Sequence, residues 1–264
     1  MNTSNFTETD EASLSFLTIR AVGFIVLSIL GIIGSLITVV VSVASKTLHS
    51  PCFTLIAGSG IGSFLVALYF LARGVGNIGI QWGIIPTEIT SLSCALTGIL
   101  AVVGITFHAQ VTSLIAIDRL ISITAPIRYQ SLGEKYSTWL LVGCSLYNVV
   151  QLVIAFATAP LSSVFRCLGF TDGLNPLFMM VFGQFNLFYC VVNVPAYVAM
   201  MLSFRFRHIF SSTNSNLQDT FIRHEVAVMP TVKFMMGLYL LTGVMAEVLI
   251  NVSLKLPHNE TGFF

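Results

Sequence analysis

Few side chains in this sequence can do chemistry, and most of those lie within or at the ends of long apolar runs. Asp118 and Arg119 close one such run, with Pro126 and Tyr129 soon after. An adjacent carboxylate and guanidinium can neutralise each other, and a charge near a membrane boundary needs a partner. Glu247 is the one acidic residue deep in any apolar run, seven residues from its end near Leu254. At 1.5 Å per helical residue that is about 10 Å deep. Such a carboxylate suits a counter-ion for a cationic ligand, a hydrogen-bond acceptor, or a protonated group bonded between helices. Asn251 lies one turn away on the same face, and Gln184 and Gln151 fall at similar depth in other runs. With Thr97 and Ala101, which step down one face of a third run, these residues form a candidate ligand pocket. His108 lies deeper, about 21 Å below Cys94, and reads as a core histidine with satisfied hydrogen bonds. No second His or Cys completes a metal site with it. Neither Gly-x-Ser-x-Gly nor His-Glu-x-x-His occurs, so neither a catalytic function nor a cofactor is expected.

The elements that carry these residues follow from composition. Charged residues make up 9% of the chain, against roughly 25% in a soluble domain. Mean hydropathy is +0.90, and there are 21 Phe. A soluble fold could not cover its surface this way, whereas a bilayer protein has lipid for solvent. Apolar segments near 20–44, 52–73, 92–117, 137–159, 177–203 and 229–254 each exceed the ~20 residues that cross about 30 Å of hydrocarbon as a helix. None alternates as a barrel strand would. The expectation is an all-α, polytopic membrane helical bundle of six spans over residues 20–254. An N-terminal tail (1–19) precedes it and a short segment (255–264) follows it. The first span is too long for a signal-peptide core, and an acidic tail precedes it. A net charge of +1 without a basic stripe argues against nucleic acid.

Lys and Arg set orientation. With the N-terminus outside, eight of them lie on the cytoplasmic side, Arg128 and Arg205 among them, against four outside. The Asn-x-Ser/Thr sequons at Asn2, Asn5 and Asn259 then all face outward, where glycans are added. Cys94 falls at the outer end of the third span and Cys167 in an outer loop, an oxidising setting in which a disulfide is possible.

Several spacings agree on one family. Cys94 stands twenty-five positions before Arg119, Pro126 seven after it, and Tyr129 three after the proline. This resembles the third membrane helix and second cytoplasmic loop of rhodopsin-like G-protein-coupled receptors, with Leu120 where a tyrosine is usual. Trp139 and Pro195 resemble the fourth-helix tryptophan and fifth-helix proline of that family. Ser35, Ser63 and His108 depart from its sodium-binding pattern, and the sixth span lacks Trp-x-Pro. Such departures resemble nematode serpentine chemoreceptors, and DRLISITAPIRYQSL suits the class called sx.

The resemblance implies six spans of a seven-helix fold in the plasma membrane. It also implies a Cys94–Cys167 bridge, an extracellular ligand and a heterotrimeric G protein as partner. Asp118, Arg119, Pro126 and Tyr129 would serve coupling and activation, with Glu225 a partner for Arg119. The family's amine-binding aspartate position, eighteen before Arg119, is Ala101, which disfavours monoamine ligands. No seventh helix with Asn-Pro-x-x-Tyr follows the sixth span. The expectation is therefore a fragment, a truncated product deficient in signalling, or a complete six-span protein. The rival class is a six-span transporter or channel, but neither an internal repeat nor a pore ring is evident.

Overall fold

The computed structural model describes residues 5–44, 51–85, 89–133, 135–158, 164–165 and 174–211. Along them run α1 (Asn5–Ala44), α2 (Pro51–Gln81), β1 (Ile89–Thr90), α3 (Ser91–Thr124), α4 (Pro126–Ser131), α5 (Lys135–Thr158), β2 (Val164–Phe165) and α6 (Pro176–Ser211). Five of these helices are long and apolar enough to cross a membrane. Together they make a helical membrane bundle. The sixth expected span, 229–254, lies outside the described residues.

Local chemistry sets the helix ends. Three helices open on proline (Pro51, Pro126, Pro176), whose missing N–H costs nothing in the first turn. Before α6, Asn175 is the cap: its Oδ1 accepts from the Leu177 N–H at 2.8 Å, and its carbonyl accepts from the Met179 N–H. At the end of α2, Gly83 adopts φ +69°. There the Gly83 N–H donates to the Ile80 carbonyl and the Ile84 N–H to the Gly79 carbonyl, a Schellman cap. The helices also outrun the hydrocarbon: α1 has 40 residues, about 60 Å at 1.5 Å each, and its apolar stretch is Ala21–Ala44.

By contact the chain divides into two units, Met1–Ile115 with Leu132–Val181, and Ala116–Ser131 with Phe182–Phe264. In the first, α2 is the hub, and glycines let its neighbours approach. A Cβ on Gly74 would lie 3.0 Å from the Ala21 carbonyl of α1. One on Gly62 would lie 2.9 Å from the His108 backbone nitrogen of α3, and one on Gly58 2.6 Å from Leu141 of α5. Cys52, Leu55, Phe107, Val111 and Ile115 form a buried cluster there, flanked by Leu140 and Leu141. The two strands, not anticipated from the sequence, pair antiparallel with Ile89 opposite Phe165 and Thr90 opposite Val164. In the second unit, Ala116 packs with Tyr197 and Met200 of α6.

The α2–α3 contact generates a stability prediction. Gly62→Ala should destabilise by about 1–3 kcal/mol, because the added methyl meets backbone that cannot yield. Gly34→Ala, where nothing lies within 4 Å, is the control. Thermal unfolding of purified protein in detergent reads the difference, and equal melting temperatures for both variants would contradict this packing.

Candidate functional site

At the end of α3, charge is buried and locally neutralised. Asp118 has no exposed surface. Arg119 is its chain neighbour, about 100° away around the helix, so the long side chain must turn back. Its Nη2 donates to Asp118 Oδ2 at 2.9 Å, and its Nε donates to the same oxygen at 3.2 Å. Tyr129 closes a triangle: its hydroxyl donates to Asp118 Oδ2 at 3.2 Å and accepts from Arg119 Nη2 at 3.1 Å. The guanidinium carbon also lies 5.9 Å from the Tyr129 ring centroid, within cation–π range. Asp118 Oδ1 has no hydrogen-bond partner among the described residues.

The backbone makes this meeting possible. Pro126 disfavours helical geometry at Ala125, and Ala125 is the one non-helical residue between α3 and α4. Backbone bonds from Ala125 N–H to Ile121 carbonyl and from Tyr129 N–H to Ala125 carbonyl carry the chain through the bend. One turn into α4, Tyr129 meets the end of α3.

Polar contacts between helices also hold the first unit. His108 Nδ1 lies 3.0 Å from Ser59 Oγ, 3.1 Å from Ser63 Oγ and 3.3 Å from the Ser59 carbonyl. Asn148 Nδ2 of α5 donates to Gln110 Oε1 of α3 at 2.9 Å, and to the Cys144 carbonyl on its own helix. The only signal for such pairs is a polar residue within an apolar run, which must find a partner in hydrocarbon. Spacing along one chain does not say which partner.

The candidate pocket residues are placed as follows. Ala101 and Gln151 are buried, and Gln151 Nε2 donates to Tyr147 Oη at 3.3 Å along its own helix. Gln184 is exposed on α6, and Thr97 lies on α3. Glu225, Glu247, Asn251, Cys167, Asn2 and Asn259 lie outside the described residues. Asn5 is the first residue of α1, and Cys94, buried, sits in its first turns of α3. Among the described residues no group of three or more His, Cys, Asp or Glu could hold a metal.

A polytopic helical bundle whose third span ends in a buried Asp paired with a half-buried Arg has the architecture of a membrane receptor. Comparison with family models makes this specific: residues 28–263 match the serpentine type 7TM GPCR chemoreceptor Srsx. The chain belongs to that family. No curated relative matches it.

The Gln110–Asn148 bond can be weighed directly. A double-mutant cycle of Gln110→Leu and Asn148→Leu, read by detergent unfolding, should give a coupling of about 0.6 kcal/mol, the average for hydrogen bonds between membrane helices, and no more than about 1.7 kcal/mol. Additive single effects would remove the bond from the folded state.

Proposed function

We propose that this chain is a chemosensory receptor of the plasma membrane that relays an extracellular small-molecule or peptide signal to a heterotrimeric G protein. The observation that carries the reading is the Asp118–Arg119–Tyr129 triangle. Arg119 is held by a carboxylate and a phenol, both contributed within eleven residues of it. Such a held cation is a resting state: exchanging these bonds for bonds to a G-protein segment releases it, and Pro126 keeps α4 in place to take part. On the opposite side of the membrane, Thr97, Ala101, Gln151 and Gln184, with Glu247 and Asn251, are the groups we assign to ligand contact. Glu225, at the foot of the expected sixth span, is the assigned interhelical partner of Arg119 on α3.

Arg119→Ala should reduce basal nucleotide exchange on G proteins in membranes to the level of membranes without receptor. Tyr129→Phe keeps the ring and removes the hydroxyl. Each hydrogen bond it takes from a charged group is worth about 1.5–3 kcal/mol, so basal exchange should rise, by roughly tenfold or more if the whole difference reaches the resting state. Exchange that responds to neither substitution, across the G-protein classes, would defeat the coupling role.

We also propose a Cys94–Cys167 bridge on the outer side, with the N-terminus and the glycans at Asn2, Asn5 and Asn259 on that side too. The β-pair supports it: Ile89 lies five residues before Cys94 and pairs with Phe165, two residues before Cys167. Cys52 and Cys144 are free thiols and Cys94 is not one of them, which supports the pairing. Non-reducing peptide mapping of intact cells should recover the linked pair, and a membrane-impermeant reductant should release it. Alkylation of Cys94 without reductant would rule the bridge out; release only after permeabilisation would reverse the sidedness.

A further inference from the structure

The chain has two tryptophans, Trp82 and Trp139, and neither is used by the site above. Both belong to the first unit, and both are unusually open, 75% and 71% exposed. Neither sits on a loose segment. Trp82 follows α2 directly, and its own N–H donates to the Ile78 carbonyl, so the helical pattern runs through it into the Schellman cap at Gly83. Ile85 folds back over Gly79, where an added Cβ would lie 2.6 Å from its Cδ1. That fixed turn holds Trp82 and Ile84, itself 72% exposed, away from the protein. Trp139 lies in the second turn of α5.

The register between α2 and α5 fixes where these rings stand. Gly58 meets Leu141, and each lies six or seven residues after the start of its helix. The two helices therefore start on the same side of the membrane and run in the same direction. Trp82 is at the far end of α2 and Trp139 near the start of α5, so they lie at opposite faces. From Gly58 to Trp82 is twenty-four residue steps and from Leu141 back to Trp139 is two. At 1.5 Å per step the two Cα positions are about 39 Å apart along the helix direction. The hydrocarbon core is about 30 Å thick, and about 40–45 Å with the headgroup regions. The pair is too far apart for both rings to lie in hydrocarbon and close enough for both to lie in headgroups.

We propose that Trp82, with Ile84 beside it, and Trp139 are the two interfacial anchors of this bundle, each seated at the headgroup–acyl boundary of one leaflet, and that together they set its depth in the bilayer. The occupant of both exposed faces is lipid. An indole has an apolar body for the acyl chains and one N–H for headgroup oxygens, which is why tryptophan collects at this boundary. The spans on which both residues stand are already solvated by lipid, so no separate partner is needed to cover them.

Because there are two tryptophans and no more, Trp82→Phe and Trp139→Phe each leave one reporter in the full chain. The proteins are reconstituted in phosphatidylcholine vesicles carrying a spin label at a shallow or a deep acyl position, and circular dichroism checks that each retains its helices. Each remaining tryptophan should be quenched more by the shallow label than by the deep one. The depths should lie between about 15 and 22 Å from the bilayer centre, beyond the half-thickness of hydrocarbon and within that of the headgroup regions. A Trp82 quenched by aqueous iodide but by neither lipid label faces water, leaves its tip open to a soluble partner, and overturns the proposal. A Trp139 quenched more by the deep label lies within hydrocarbon and overturns it equally. Loss of helical signal in either phenylalanine variant would also count against it, since an anchor of this kind is not required for folding.

Discussion

Hydrocarbon surrounds this protein, and that one condition sets which interactions can hold it together. Lipid tails are as apolar as leucine, so burying Leu against Leu gains little over leaving it in lipid. The wide exposure of Val, Ile and Leu along α1 is therefore no defect. Helices must be held instead by close backbone approach and by polar groups that have nowhere else to bond. Both occur around α2. Gly62 brings α3 against it, and the same approach lets His108 reach Ser59 and Ser63. A larger residue at position 62 would separate the helices and break those bonds together.

The same condition explains the chemistry of α3. It is the most enclosed of the five apolar helices, and it carries Thr106, Gln110, Thr112, Ser113, Asp118 and Ser122, all buried. Thr106, Thr112 and Ser113 satisfy their hydroxyls on carbonyls one turn back, and Ser122 does so three residues back. Such bonds need no second helix. Gln110 has two polar ends and reaches out to Asn148. On α3, polar content is thus sorted by reach: these short hydroxyls stay on their own helix, while the amide of Gln110 and the imidazole of His108 join it to neighbours.

Much of this was legible from the sequence, and the limits have physical causes. Hydropathy measures where hydrocarbon is, so it identified a helical membrane bundle. It does not measure where a helix stops, because backbone bonding continues into polar sequence. α2 accordingly runs on to Gln81, and α1 begins at Asn5 among acidic residues. Two-residue strands are too short to show alternation, which is why β1 and β2 left no signal. At the site, the spacing of Asp118, Arg119, Pro126 and Tyr129 singled out the residues, and the proline foretold a break at Ala125. That Tyr129 would touch both charges depended on how far α4 folds back, which no periodicity encodes. His108 could be read as a satisfied core residue, but its serines could not be named.

The family-typical tyrosine after the Asp-Arg pair is Leu120 here, and the geometry shows how the triangle forms without it. A phenol is supplied by Tyr129, from the turn that Pro126 enforces. Asp118 matches the charge of Arg119, and Tyr129 fixes the direction of the guanidinium by accepting from it while donating to the same carboxylate oxygen. Every part comes from one continuous stretch of chain, residues 118–129. Holding the arginine therefore requires only that α3 end and α4 begin where the proline dictates. Bonds made to other helices act on an arginine whose charge is already balanced, so they can tune the resting state without having to create it.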